Sequence, residues 1–278
     1  MFTIFLKNSK ESDEVYSYVI NNFNLPEATF KKIKNQIIFN FKNYNASHQN
    51  FAINLSNLII DLYELKIIKK IIKRNYFYFD ELEQVQISNI SSSIVDEDSQ
   101  SKKDLVYLSI NEYIQDNTSM ILDGFIRFRL KDYIEVLEYL VDLSVNNFII
   151  NREYDKFITL LCDYINSEPS KIDIIHLVYV DKEAILLDKH KISIPIDENI
   201  LDAKYLSDIS FSNNDYVLNT LLNILPNKLY VHVQGKEDEF LTTLKRIFNN
   251  KIILCHGCDI CNFYKTLSSS KHSSKHNS

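Results

Sequence analysis

Glycine is almost missing from this chain: 278 residues include only Gly124, Gly235 and Gly257. Loops that cradle nucleotide phosphates need several glycines at fixed offsets, so that backbone N–H groups can close on the phosphate. None of the three has such a neighbour, which excludes a Walker-type NTPase and a Rossmann dinucleotide fingerprint. A G-x-S-x-G nucleophile elbow is missing too. No apolar run reaches the ~18–20 residues that span a bilayer. Basic residues are in deficit, 31 against 37 acidic ones, for a net charge of −6. A nucleic-acid binder would need the opposite balance to neutralise phosphates. Four cysteines, three of them bunched late in the chain, make no disulfide framework for a protein this long. The charges after Met1 follow a very short apolar run, unlike a secretory leader. The expected location is the cytoplasm, with no integral membrane segment, no nucleotide cofactor and no peripheral membrane role.

What is present has the hydrophobic and charged content of an ordinary globular protein. An α+β fold is expected: predominantly helical over the N-terminal two-thirds, with a small α/β C-terminal part containing a β-hairpin and a strand–helix–strand unit. Alternation marks a leading strand at Phe2–Lys7. Helical spacing then runs over 13–24, over 26–41 behind Pro26, over 50–75 and over 77–90. The segmentation read from composition is an N-terminal helical region over 1–95, a polar linker over 96–103 and a central helical block over 104–167. A small α/β region follows over 171–262, and the serine-, lysine- and histidine-rich residues 263–278 are expected to be a disordered tail. Within the α/β region, 172–180 is apolar on both alternating sets, as in a strand covered on both faces. A turn at 181–183 and a return strand follow, then an edge near Pro195. Further on, strand 229–233, helix 237–248 and strand 251–254 form a right-handed crossover.

The longest uninterrupted helical pattern lies at 119–150. Leu122, Ile126, Leu130, Ile134, Leu137, Val141 and Phe148 form one stripe of a 3.6-residue period. Asp123 stands four residues before Arg127, and Arg129 three before Asp132, the spacing of exposed helical ion pairs. These four residues are the candidate interaction surface, although such pairs are also ordinary surface chemistry. Arg127 and Arg129, two positions apart, face different sides of a helix and cannot clamp one anion together. The basic amphipathic run at 65–74 would suit an anionic membrane surface or an acidic partner, or simply the negative end of a helix dipole, and Asp61 and Glu64 just upstream dilute its charge.

The central residues also carry a resemblance. Leu122-Asp-Gly-Phe-Ile-Arg127-Phe-Arg129-Leu-Lys-Asp-Tyr133, Val141-Asp-Leu-Ser-Val-Asn-Asn-Phe148, Arg152-Glu-Tyr154-Asp-Lys-Phe157 and Lys171-Ile-Asp-Ile-Ile-His176-Leu-Val-Tyr179 resemble the YtxC-like proteins of spore-forming Firmicutes. The similarity is densest over 119–180 and extends to about 255. It implies a sporulation setting and assigns no catalytic residue. The expectation is therefore a non-enzymatic factor that acts on an unidentified protein partner.

One constellation has ligand spacing: Cys255, Cys258 and Cys261, within Cys255-His256-Gly257-Cys258-Asp259-Ile260-Cys261. Thiolates at C-x₂-C spacing can converge on Zn²⁺ or an iron–sulfur cluster, which gives an alternative reading as a metal-binding regulatory or redox protein. A fourth ligand would come from Cys162, His256 or the tail histidines His272 and His276. His176 and His232 lie inside strand patterns and read as hydrogen-bonded structural histidines. The first turn after Gly235 is filled by Glu237, Asp238 and Glu239, which would repel a phosphate.

Overall fold

Alternation governs more of the N-terminal region than the helical reading allows. The computed structural model describes residues 1–7, 10–23, 28–33, 36–42, 48–97, 99–196, 212–255 and 257–274. The chain forms two compact units, Met1–Asn151 and Arg152–Ser278, and the fold is α+β. In the first unit, β1 (Phe2–Lys7) buries Phe2, Ile4 and Leu6 and turns the residues between them outward. Helix α1 (Lys10–Asn22) follows, and then a hairpin of β2 (Ala28–Ile33) and β3 (Gln36–Phe41). This corrects the helix expected over 26–41. Ile37, Phe39 and Phe41 are all buried while Ile38 and Asn40 are only half-buried, a two-residue period that a helix could not satisfy. Pro26, read as a helix opener, lies outside the described residues. β3 pairs antiparallel with β1, and Phe2, Phe23, Phe41 and Phe51 meet largely edge-to-face beneath the sheet.

Three helices continue the unit: α2 (His48–Asn75), α3 (Glu81–Glu97) and α4 (Ser99–Asp116). A reciprocal cap opens α3, with Asp80 Oδ1 accepting the Glu83 N–H at 2.8 Å and Glu83 Oε2 accepting the Asp80 N–H at 3.1 Å. Residues 96–103, expected as a polar linker, hold the end of α3 and the start of α4, with Asp98 outside the described residues. Lys102 is buried there, its Nζ 3.2 Å from Glu64 Oε2. The Tyr133 hydroxyl donates to the same oxygen at 2.6 Å.

The single helix expected over 119–150 is three pieces. β4 (Ser119–Ile121) pairs in parallel with β1, completing a sheet of order β2-β3-β1-β4. α5 (Leu122–Arg129) then stops at Leu130, whose φ of −95° and ψ of 41° leave the helical region. α6 (Lys131–Ser167) carries on through both units. The apolar stripe survives the break, because Leu122, Ile126, Leu130, Leu137, Val141 and Phe148 are all buried. Local periodicity registers the stripe. It does not register a strand partner far upstream.

In the second unit the sheet order is β6-β5-β7-β8. β5 (Ile172–Val180) and β6 (Glu183–Leu187) form the hairpin, turning through Asp181 and Lys182 at positive φ. β7 (Pro226–Val233) and β8 (Ile252–Cys255) lie parallel to β5. The expected edge near Pro195 reduces to one bridge, Leu187 to Ser193. α7 (Asn213–Ile224) precedes β7, and α8 (Glu239–Ile247) joins β7 to β8. The larger core of this unit includes Ile175, Leu177, Leu229 and Val231 from the sheet, with Ile158 and Ile165 from the end of α6, Leu221 from α7 and Leu244 from α8. The opposite face carries α9 (Asp259–Ser274) on a thin cluster of Val178, Leu187 and Ile260. Residues 263–274, expected as disordered tail, are thus helical, and 275–278 lie outside the described residues. Among the described residues no helix is long and apolar enough to cross a membrane.

Candidate functional site

The period of two along β5 and β7 decides what gathers under α9. With Ile175, Leu177, Leu229 and Val231 turned to the larger core, His176 and His232 share the other face. The parallel register sets His232 beside Cys255 at the end of β8. Gly257, at φ 135°, then turns the chain through a conformation that L side chains rarely adopt. That turn brings Cys258 to the start of α9, and Cys261 lies in its first turn.

The four side chains converge. Cys258 Sγ and Cys261 Sγ each lie 3.5 Å from His232 Nδ1. Cys261 Sγ is 3.7 Å from Cys255 Sγ and 3.9 Å from Cys258 Sγ, and all four donor atoms fall within 4.8 Å of one another. His232 is buried and the cysteines are half-buried. On its other side the His232 ring meets His176, with His232 Nε2 3.0 Å from His176 Nδ1. Burial, then the neighbouring His176 and Lys191, push the His232 pKa down to about 4, so its imidazole is neutral at physiological pH. The Cys258 thiol is lowered: burial opposes ionisation, but hydrogen bonds from the Cys261 and Ile260 backbone and from the other two thiols outweigh it. Cys261 is raised, chiefly by burial.

The cysteine spacing marks three members of this cluster, and His232 is a fourth that lies outside that motif. Cys162, proposed as a closing ligand, instead donates its thiol to the Arg246 carbonyl at 3.1 Å and is outside the cluster. His256 and His276 lie outside the described residues, as does the His272 side chain. The signal for His232 was available: in a parallel strand–helix–strand unit, two strand residues at the same register share a face.

Of the candidate interaction residues, Asp123, Arg127, Arg129 and Asp132 are all exposed. Among the described residues neither expected ion pair closes. Leu130 breaks the helix between Arg129 and Asp132, and Arg127 lies over the Phe128 ring at 5.8 Å. Arg129 turns instead to the Tyr113 ring at 5.9 Å. Asp123 and Arg127 do share a feature, a groove of about 920 Å³ between α2 and α5–α6. Its floor includes Ile67, Ile71, Ile126 and Ile134. Lys66, Lys70 and Arg74, four residues apart along α2, form one wall. Lys131 and the exposed Phe128 belong to the other, with Glu135 and Glu138. Arg74 pairs with Glu138 and Lys66 with Glu14, whereas Lys70, Arg127 and Lys131 make no ion pair among the described residues.

Together these features define an α+β protein with a cationic groove in a mostly helical unit and a thiol–imidazole cluster at one edge of a second sheet. Residues 49–253 match the model of the YtxC-like family, and the chain belongs to that family. A protein of Bacillus subtilis (strain 168) described as "Uncharacterized protein YtxC" is 20% identical over 191 residues, covering 66% of this chain and 68% of the relative. No solved structure matches. The family match contains every groove residue and His232, and it stops at 253, before Cys255.

Proposed function

We propose that the protein is a cytoplasmic, non-enzymatic factor of the sporulation programme that binds an acidic amphipathic segment of a partner protein in the groove between α2 and α5–α6. The observation that carries this reading is the pairing of an apolar floor with a cationic wall inside the family-matched segment. A helix laid in such a groove buries its apolar stripe on Ile67, Ile71 and Ile126, and sets its carboxylates against Lys70, Arg127 and Lys131, the lining cations that make no ion pair among the described residues. Charge of this kind contributes chiefly to orientation and association rate. The sporulation setting rests on the resemblance at 119–180, and membership of the family supports it.

A photo-crosslinking residue in place of the exposed Phe128, introduced in sporulating cells, tests the reading. The adduct is expected to carry an acidic amphipathic segment of the partner. The double charge reversal Lys70→Glu and Lys131→Glu should weaken capture by about tenfold or more at low salt, and by less at high salt, where exposed charges are screened. A crosslinked segment that is basic, or capture indifferent to the charge reversal, contradicts it.

A further inference from the structure

We propose that His232, Cys255, Cys258 and Cys261 bind one Zn²⁺ ion in a closed tetrahedral site that fastens α9 to the sheet. Zinc held at ~2.3 Å by thiolate sulfur and ~2.0–2.1 Å by imidazole nitrogen, with tetrahedral angles, requires S···S edges of ~3.8 Å and N···S edges of ~3.5 Å. Four of the six edges match: Cys261 Sγ lies 3.7 Å from Cys255 Sγ and 3.9 Å from Cys258 Sγ, and Cys258 and Cys261 Sγ each lie 3.5 Å from His232 Nδ1; the two edges from Cys255 to Cys258 and to His232 fall within 4.8 Å. Cys261, Cys258 and His232 already stand at zinc-sized spacing, and Cys255 completes the set within reach of one ion.

The donor set identifies the ion. Three thiolates and one imidazole are soft to borderline ligands, suited to zinc and unsuited to Mg²⁺ or Ca²⁺, which take oxygen. A [4Fe–4S] cluster puts each cysteine on a separate iron and a [2Fe–2S] cluster shares its four ligands between two irons, which spreads them farther apart than one ion does, so four donor atoms within 4.8 Å of one another favour a single metal. With four protein ligands no position remains for water or substrate, the mark of a structural site rather than a catalytic one. The His232 ring is also oriented for the task. Its Nε2 is engaged by His176 at 3.0 Å, and a proton on Nε2 leaves the Nδ1 lone pair directed at the sulfurs.

Among the described residues the packing under α9 is thin, with one side-chain hydrogen bond from Gln234 to the Cys261 carbonyl beside it. Ile260 is the only residue of that helix buried among those whose burial is described, against Val178 and Leu187 of the sheet, with Cys258 and Tyr264 packed around them. Such a contact is small for the residues 259–266 whose burial is described. A metal bridging β7, β8 and the first turn of α9 supplies the missing anchor, since the free energy of binding a structural metal becomes free energy of folding.

The experiment uses the full-length chain, purified under reducing conditions without chelator. Elemental analysis is expected to give one zinc per chain, and Co²⁺ exchanged into the site should show the visible d–d and thiolate charge-transfer bands of a tetrahedral thiolate complex. Cys258→Ser and His232→Ala should each lower retained zinc at least tenfold, whereas Cys162→Ser should leave it unchanged. Metal uptake should also fall as pH drops, because protons compete for the thiolates. If a cluster variant fails to fold, wild-type protein settles the matter: chelator should abolish the Co²⁺ bands and make α9 susceptible to proteolysis, and added zinc should restore protection. Reduced, folded protein that takes up neither Zn²⁺ nor Co²⁺ overturns the proposal. So does retained metal that is insensitive to Cys258→Ser, or that is iron accompanied by acid-labile sulfide.

Discussion

Lys102→Ala is expected to lower the unfolding free energy by about 3–5 kcal/mol, the loss that follows when one partner of a buried ion pair is removed. Lys102 is 2% exposed, and its Nζ meets Glu64 Oε2 at 3.2 Å, the same oxygen that accepts the Tyr133 hydroxyl at 2.6 Å. Without the lysine, Glu64 keeps one neutral donor and loses its counter-charge in a site largely shielded from water. Lys102→Met combined with Glu64→Gln, which removes both charges while keeping side-chain bulk, should recover most of that loss. Denaturant unfolding of the single and double variants measures both. A Lys102→Ala protein within 0.5 kcal/mol of wild type, the range of ordinary surface changes, would place that side chain in solvent.

Leu137→Ala is the second large effect, expected at about 2–5 kcal/mol from lost burial and the cavity left behind. Leu137 is fully buried in α6, in one cluster with Val141, Leu130 and Tyr133. Arg127→Ala, on the same stretch but exposed, should cost under about 1 kcal/mol. The contrast checks the direction in which the helical stripe faces. A costly Arg127→Ala beside a tolerated Leu137→Ala would reverse the face assigned to the core.

These two sites also mark how far the amino-acid sequence can be read. Leu137 was legible, because a stripe of period 3.6 is a local signal that survives even the break at Leu130. Lys102 was not. In the serine- and acid-rich run that reads as a linker, a lysine is ordinary surface chemistry, and only its distant partner Glu64 makes it a core residue. β2 and β3 escape a local reading for a related reason: 26–41 fits a helical spacing, and only the pairing of β3 with β1 and of β2 with β3 selects the two-residue period. In the second unit the strand–helix–strand unit and the β5–β6 turn were legible, since alternation, proline and turn residues mark them locally. The candidate metal cluster was half legible. The cysteine spacing is a sequence signal, but His232 joins it only through the β7–β8 register.

Native mass spectrometry of the reduced full-length chain tests the zinc site most directly. The expected spectrum shows wild-type protein at the apo mass plus one zinc, less the protons its thiolates give up, and Cys258→Ser at its own apo mass. Wild-type protein that remains at the apo mass after incubation with stoichiometric zinc, with its fold intact by circular dichroism, would contradict it.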